Sequence, residues 1–181
     1  MPSNIDKFSD IRPYNDQEIQ PAIKRVINSE EFIDAILSFR FSKLSKFLGF
    51  LLKPLIRRYF LYKWGNINSI DQMQKVMGHY VQRMIDTTTT NFTYSGLEHL
   101  DANKNYLFVS NHRDIAMDPS FVNWALYSEN FKTVRIAIGD NLLSKPFVSD
   151  LMRMNKSFIV KRSVTGGGGL YRTYRIIFVA H

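Results

Sequence analysis

Apolar residues recur every three or four positions through the first half of the chain and gather into short continuous runs in the second. The first pattern belongs to amphipathic helices and the second to buried strands. "NDQEIQPAIKRVINSEEFIDAILSFRF", residues 15–41, predicts two short helices, the first capped by Asn15 or Asp16 and the second starting at Ser29 before Glu30 and Glu31. "KLSKFLGFLLKPLIRRYFLYKW", residues 43–64, places Leu44, Leu48, Leu51, Leu52, Leu55 and Tyr59 on a helical stripe, with Pro54 expected to kink or divide the helix. "SIDQMQKVMGHYVQRMIDTTTT", residues 69–90, predicts another helix, started near Ser69 or Asp71 and ended by β-branched threonines.

From residue 91 the pattern alternates. "NFTYSGL", "NYLFVS", "TVRIAIGD" and "SFIVKR" predict strands, and "DPSFVNWALYSE" and "SKPFVSDLMRMN" predict the helices among them. Asp118 is the expected N-cap of the first of these helices, with Pro119 as its first helical residue. The order argues for an α/β fold with a largely parallel central sheet and flanking helices, preceded by an N-terminal helical region. The expected organisation is a helical region over 1–66 and an α/β domain over 67–181. Ligands of such sheets bind beyond the carboxyl ends of strands, and both "SNHRD" and "KRS" follow such ends. Four consecutive glycines, Gly166–Gly169, interrupt the pattern near the end, and the chain reads as stopping partway through a domain.

Composition narrows the possibilities. With 181 residues, 45% hydrophobic and 14% aromatic, the chain can bury a core. It has no cysteine, which excludes disulfides and thiolate metal sites, and its four histidines (79, 99, 112 and 181) show no metal-ligand spacing. His79, inside a predicted helix, reads as a packing or surface residue. The polar, acidic N-terminus lacks the pattern of a signal peptide, so the cytoplasm is the expected compartment. The net charge of +8 is concentrated in residues 35–70, which hold seven Lys or Arg and no Asp or Glu. Such a segment calls for an anionic neighbour. Because its cations are threaded through an apolar stripe with aromatics among them, a phospholipid surface fits better than nucleic acid, for which no motif is present. Lys53, Arg57 and Arg58 are the expected membrane contacts, although the same pattern suits a helix packed on the domain with a solvated basic back.

The densest candidate chemistry is "FVSNHRDIAMDPS", residues 108–120. His112 can accept a proton near neutrality, and a carboxylate on its other ring nitrogen would fix the tautomer. Asp118, separated from His112 by five residues, and Asp114, two residues away, are both available as that partner. No local nucleophile motif is present, so the simplest use is a general base that activates a substrate hydroxyl or amine toward an acyl group. The alternative is a loop and a capped helix start without chemistry.

"VSNHRDIAMDPSFVNWAL" resembles the first signature block of the glycerolipid acyltransferase superfamily, whose best-known members are the lysophosphatidic acid acyltransferases. That block is usually Asn-His, four residues and Asp; five residues intervene here, resembling a bacterial branch with the longer "NHRDI" spacing. "YSGLEHLDANKNYLFVS" upstream and "IAIGDNLLSKPFVSDLMRMNKSFIVKRS" downstream resemble the neighbouring blocks, so the likeness runs from Tyr94 to Val164. The resemblance implies transfer of a fatty acyl chain from acyl-CoA or acyl carrier protein, as co-substrate and with no cofactor or metal, to a lysophospholipid-type acceptor, 1-acyl-glycerol-3-phosphate by default. It implies His112 as general base and Asp118 as its orienting carboxylate, with Asp114 as alternative partner. Arg162 would bind the acceptor's phosphate with Lys161 nearby, where many relatives carry an aspartate. A third block, a Pro-Glu-Gly-Thr-like turn, is expected beyond residue 181, as in a C-terminally truncated member. The implied setting is phospholipid biosynthesis, peripheral on the inner face of the cytoplasmic membrane. The alternative is a non-catalytic membrane- or lipid-binding remnant.

Overall fold

A computed structural model describes residues 8–41, 45–111 and 113–162, with the backbone alone over 45–48. The helices are α1 (Asp16–Asn28), α2 (Glu30–Arg40), α3 (Ser45–Trp64), α4 (Ile70–Thr88), α5 (Met117–Ser128) and α6 (Pro146–Met154); the strands are β1 (Ile136–Gly139) and β2 (Ser157–Val160). The described residues fall into two compact units, one from 1–72 and 137–181 and the other from 73–136.

In the first unit, α1 begins at Asn15, whose N–H donates to the Glu18 carboxylate at 2.9 Å. The same carboxylate takes both terminal nitrogens of Arg12, at 2.6 and 3.1 Å. Ser29 caps α2 by accepting the Phe32 N–H at 3.3 Å. These starts agree with the sequence because polar side chains, Glu18 at the first and Ser29 at the second, satisfy N–H groups left open there. Ile19, Ile23, Val26 and Ile27 of α1 and Phe32, Ile33 and Leu37 of α2 are buried. Phe32 is the centre of a ring cluster, with centroids 5.1 Å from Phe60, 6.2 Å from Trp64 and 5.7 Å from Phe147.

The helix α3 differs from expectation in two ways. Pro54 does not divide it. The proline is exposed, so the Phe50 carbonyl that it leaves without an amide partner is on the solvent side. The buried face is Ile56, Phe60 and Trp64, whereas Leu51, Leu55 and Tyr59 of the expected stripe are exposed. Leu44 lies outside the described residues. Three large residues at i, i+4 and i+8 define either face equally well in sequence, and the tighter aromatic packing available to Phe60 and Trp64 selected theirs. Among the described residues no helix is long and apolar enough to cross a membrane.

The expected largely parallel central sheet is, among the described residues, a two-stranded parallel sheet of β1 and β2 joined by α6. Phe158 and Ile159 of β2 pack with Phe8 and Ile11, and Ile159 donates its N–H to the Ile11 carbonyl at 2.8 Å. The segments expected as strands at 91–97 and 105–110 are not strands; a single 3-10 turn occurs at Leu97–His99. Leu107 and Val109 are 82% and 85% exposed. Their β propensity is real, but a strand exists only against a hydrogen-bonded neighbour and a face to bury.

A buried carboxylate ties α1 to α6. Asp150 is held by a two-point contact from Arg25, Nε at 3.0 Å and a terminal nitrogen at 2.7 Å, and by the Tyr14 hydroxyl. Arg153, one turn further on, donates to the Arg12 carbonyl at 2.8 Å and to the Ser9 carbonyl, and stacks 4.1 Å over the Tyr14 ring. Burial raises the Tyr14 pKa above its ordinary value of 10.0, and the hydrogen bond it donates to Asp150 raises it further.

Arg25→Met leaves Asp150 buried with two donors fewer. It is expected to cost about 2 kcal/mol, less than a fully buried pair would, because Arg25 is half-exposed, read as a lower urea midpoint. A pKa raised on folding means that the folded state keeps a proton the unfolded chain releases. The Tyr14 contribution is therefore intact below pH 10.0 and lost as pH rises from there through the higher pKa of the folded state. Urea midpoints between neutral and strongly alkaline pH are expected to fall less steeply in Tyr14→Phe.

Candidate active site

The second unit presents the stretch around Asp118 on a braced helix. Trp124 of α5 donates its Nε1–H to Gln82 of α4 at 2.9 Å, and a Cβ at Gly78 would come within 3.0 Å of the Tyr127 ring, so α4 and α5 approach closely. Phe92 stacks on Phe121 and Trp124, with centroids at 4.8 and 5.3 Å. The amide side chain of Asn123 accepts the Val134 N–H at 2.7 Å. Both faces of α5 are thus held, and its N-terminal turn is carried at a defined place.

That turn is built by two carboxylates. Asp114 Oδ1 accepts the N–H groups of Ala116 and Met117, at 2.8 and 2.7 Å. Asp118 Oδ2 accepts those of Arg113 and Asp114, at 2.8 and 2.9 Å. The helix opens at Met117, so Asp118 is its second residue and Pro119 its third, not the cap and first residue expected. Asp114 takes the helix-starting role in Asp118's place: its short side chain reaches the first free N–H groups ahead of it, as Asx turns do. Asp118, released from capping, turns back along the chain. The Ser120 hydroxyl completes the turn by donating to the Ala116 carbonyl at 2.6 Å.

His112 lies outside the described residues. The Arg113 amide that Asp118 holds is the one that follows His112 in the chain. The local signal for Asp114 was present, an aspartate three residues before the first helical position. It was outweighed by Asp-Pro, the stronger pattern for a helix start.

Arg162 and Lys161 belong to the first unit and follow the carboxyl end of β2, as the sequence suggests. The Arg162 N–H donates to Asp140 Oδ1 at 3.1 Å, and its side-chain Nε would lie 3.1 Å from a Cβ at Gly139, the last residue of β1. The glycine leaves room for the arginine stem to cross the strand end. Lys161 is ion-paired with Asp10 at 2.6 Å. Lys145 lies just before α6, 3.8 Å from Glu31.

The three cations expected at a membrane are used differently. Lys53 bridges Asp34 at 2.8 Å and Glu30 at 3.1 Å, and Arg57 also binds Glu30. These contacts lower the Glu30 pKa and raise that of Lys53, through hydrogen bonds from Arg57 and Lys53 to Glu30 and from Lys53 to Asp34. Two of the cations therefore attach α3 to α2, while Arg58 is exposed. His79 is exposed on α4, its Nδ1 2.7 Å from the Lys75 carbonyl. Among the described residues no group of His, Cys, Asp or Glu could hold a metal ion.

The division of labour between the carboxylates can be measured by amide hydrogen exchange. Asp118→Ala is expected to speed exchange at Arg113 and Asp114 by about tenfold, the loss of one net hydrogen bond, and Asp114→Ala to do so at Ala116 and Met117.

The family model described as Acyltransferase matches residues 91–175, a stretch that includes His112, Asp114, Asp118, Lys161 and Arg162. No curated protein and no solved structure matches the chain. Over residues 91–175 the chain is similar to the acyltransferase family of the glycerolipid acyltransferase superfamily.

Proposed function

We propose that the protein transfers a fatty acyl chain from acyl-CoA or acyl carrier protein to a lysophospholipid-type acceptor, 1-acyl-glycerol-3-phosphate in the first instance, at the cytoplasmic face of the membrane. The observation that carries the reading is the Asp118 carboxylate, turned back onto the amides of Arg113 and Asp114, directly after His112. In this reading His112 takes the proton of the acceptor hydroxyl as the oxygen attacks the thioester carbonyl. The new C–O bond gives a tetrahedral oxyanion; its collapse breaks the C–S bond, and the imidazolium returns the proton to the departing thiolate. Asp118 orients the imidazole and stabilises its charged form. Asp114 is the alternative partner: its Oδ1 serves Ala116 and Met117, which start the helix ahead of it, whereas Asp118 is turned back toward the residues that follow His112.

Arg162 is the better phosphate ligand of the two cations after β2. Its planar fork matches two phosphate oxygens, whereas Lys161 is committed to Asp10. Lipid-binding without chemistry is the second reading, favoured by the apolar, exposed side of α3.

The test is transfer of labelled acyl chains from each thioester to lysophosphatidic acid. His112→Ala is expected to lose about 10²–10⁴-fold in kcat/KM, and Asp118→Asn to lose more than Asp114→Asn. Arg162→Met is expected to raise KM for the acceptor with kcat largely kept. Full activity in His112→Ala removes the assigned base. No turnover with either donor, by a chain that still binds vesicles, favours the second reading.

A further inference from the structure

The exposed side of α3 is more apolar than a solvent-facing helix surface normally is. Leu51, Leu55, Tyr59 and Tyr62 are spaced by four, four and three residues and share one face opposite the buried Ile56, Phe60 and Trp64. Tyr62 is 81% exposed and Leu55 62%. Large apolar side chains gathered on one exposed face mark an interaction surface, whereas single ones do not. The exposed cations Arg58 and Lys63 lie within and beside this face, and no acidic residue occurs between 35 and 70.

Three properties of the face select its occupant. Self-association across a two-fold axis would bring Arg58 and Lys63 against their own copies with no carboxylate on the segment to offset them. Tyrosine prefers the boundary between hydrocarbon and water, where the ring is buried and the hydroxyl stays hydrated. Arginine and lysine can lay their stems along apolar surface while their charged ends reach anionic headgroups. A polar partner protein would need carboxylates and a matching apolar groove together; an anionic bilayer supplies both as a continuous surface.

We propose that this face of α3 is the surface by which the protein lies on an anionic lipid bilayer, with Leu51, Leu55, Tyr59 and Tyr62 at the headgroup boundary and Arg58 and Lys63 on lipid phosphates. It deepens the membrane part of the functional reading and does not depend on acyl transfer. The helix lies on the membrane and does not cross it, since five Lys or Arg interrupt its twenty residues. Lys53 and Arg57 do not take part; their charges are spent on Glu30 and Asp34.

The experiment is co-sedimentation of the full chain with vesicles of phosphatidylcholine, with and without phosphatidylglycerol. The wild type is expected to bind the anionic vesicles and to lose binding in high salt. Leu55→Glu with Tyr62→Glu is expected to lower partitioning at least about tenfold, at an unchanged urea midpoint. Arg58→Gln and Lys63→Gln are each expected to lower it about fivefold on anionic vesicles alone, and Lys53→Gln to leave it unchanged. The proposal is overturned if the double glutamate variant binds as the wild type does, or if its urea midpoint falls. It is equally overturned if Lys53→Gln weakens binding as much as Arg58→Gln, or if the double variant splits a dimer while neither form binds vesicles. Vesicle binding is read without turnover, so a chain that binds but transfers no acyl group counts against the acyl-transfer reading alone.

Discussion

A carboxylate removed from water must be paired, and the pairing of Asp150 determines how the first unit closes. Its oxygens are held by Arg25 and Tyr14, which precede it by more than a hundred residues, and Arg153 continues the seam onto the carbonyls of Ser9 and Arg12. Hydrogen bonds of this kind are directional, so they set the angle of α6 against α1 where apolar contact alone would tolerate several. Because α6 is the crossover between β1 and β2, the same seam places the carboxyl ends of both strands, and with them Gly139 and Arg162.

The second unit uses the same chemistry on a smaller scale. Asp114 and Asp118 each collect two backbone N–H groups, one pair ahead and one behind. Four donors that a loop entering a helix would otherwise leave to water are satisfied within five residues. The result is a braced entry to α5, which is what the general-base role proposed for His112 would require: the acceptor must be met in one orientation, and a loose loop would forfeit much of the rate.

The helix α3 shows how far charge pattern can mislead when faces are not assigned. Its cations read as one basic surface in sequence. In the fold they divide, Lys53 and Arg57 toward the carboxylates of α2 and Arg58 and Lys63 toward solvent. A lysine beside two carboxylates is no longer available to a bilayer, whatever the net charge of its segment. The apolar residues divide similarly, with rings on the inner face and leucines and tyrosines on the outer.

Much was legible from sequence because it depends on neighbours in the chain. The caps at Asn15 and Ser29, the helical periods of α1, α2 and α4, and the β1–α6–β2 order all follow from contacts a few residues long. So does the acyltransferase likeness, which is a matter of ordered local blocks. What required the tertiary structure involved choosing among equivalent partners. Either stripe of α3 could have been buried, and the rings of Phe60 and Trp64 decided it by stacking on Phe32. Residues 105–110 had the composition of a strand, yet pairing and burial are supplied by other segments. Asp114 and Asp118 could each have started α5, and their roles were separated by which free N–H groups each side chain could reach. Sequence specified the local propensities; the competition for hydrogen-bond partners and for buried surface, which is settled only when distant segments meet, decided which of them were used.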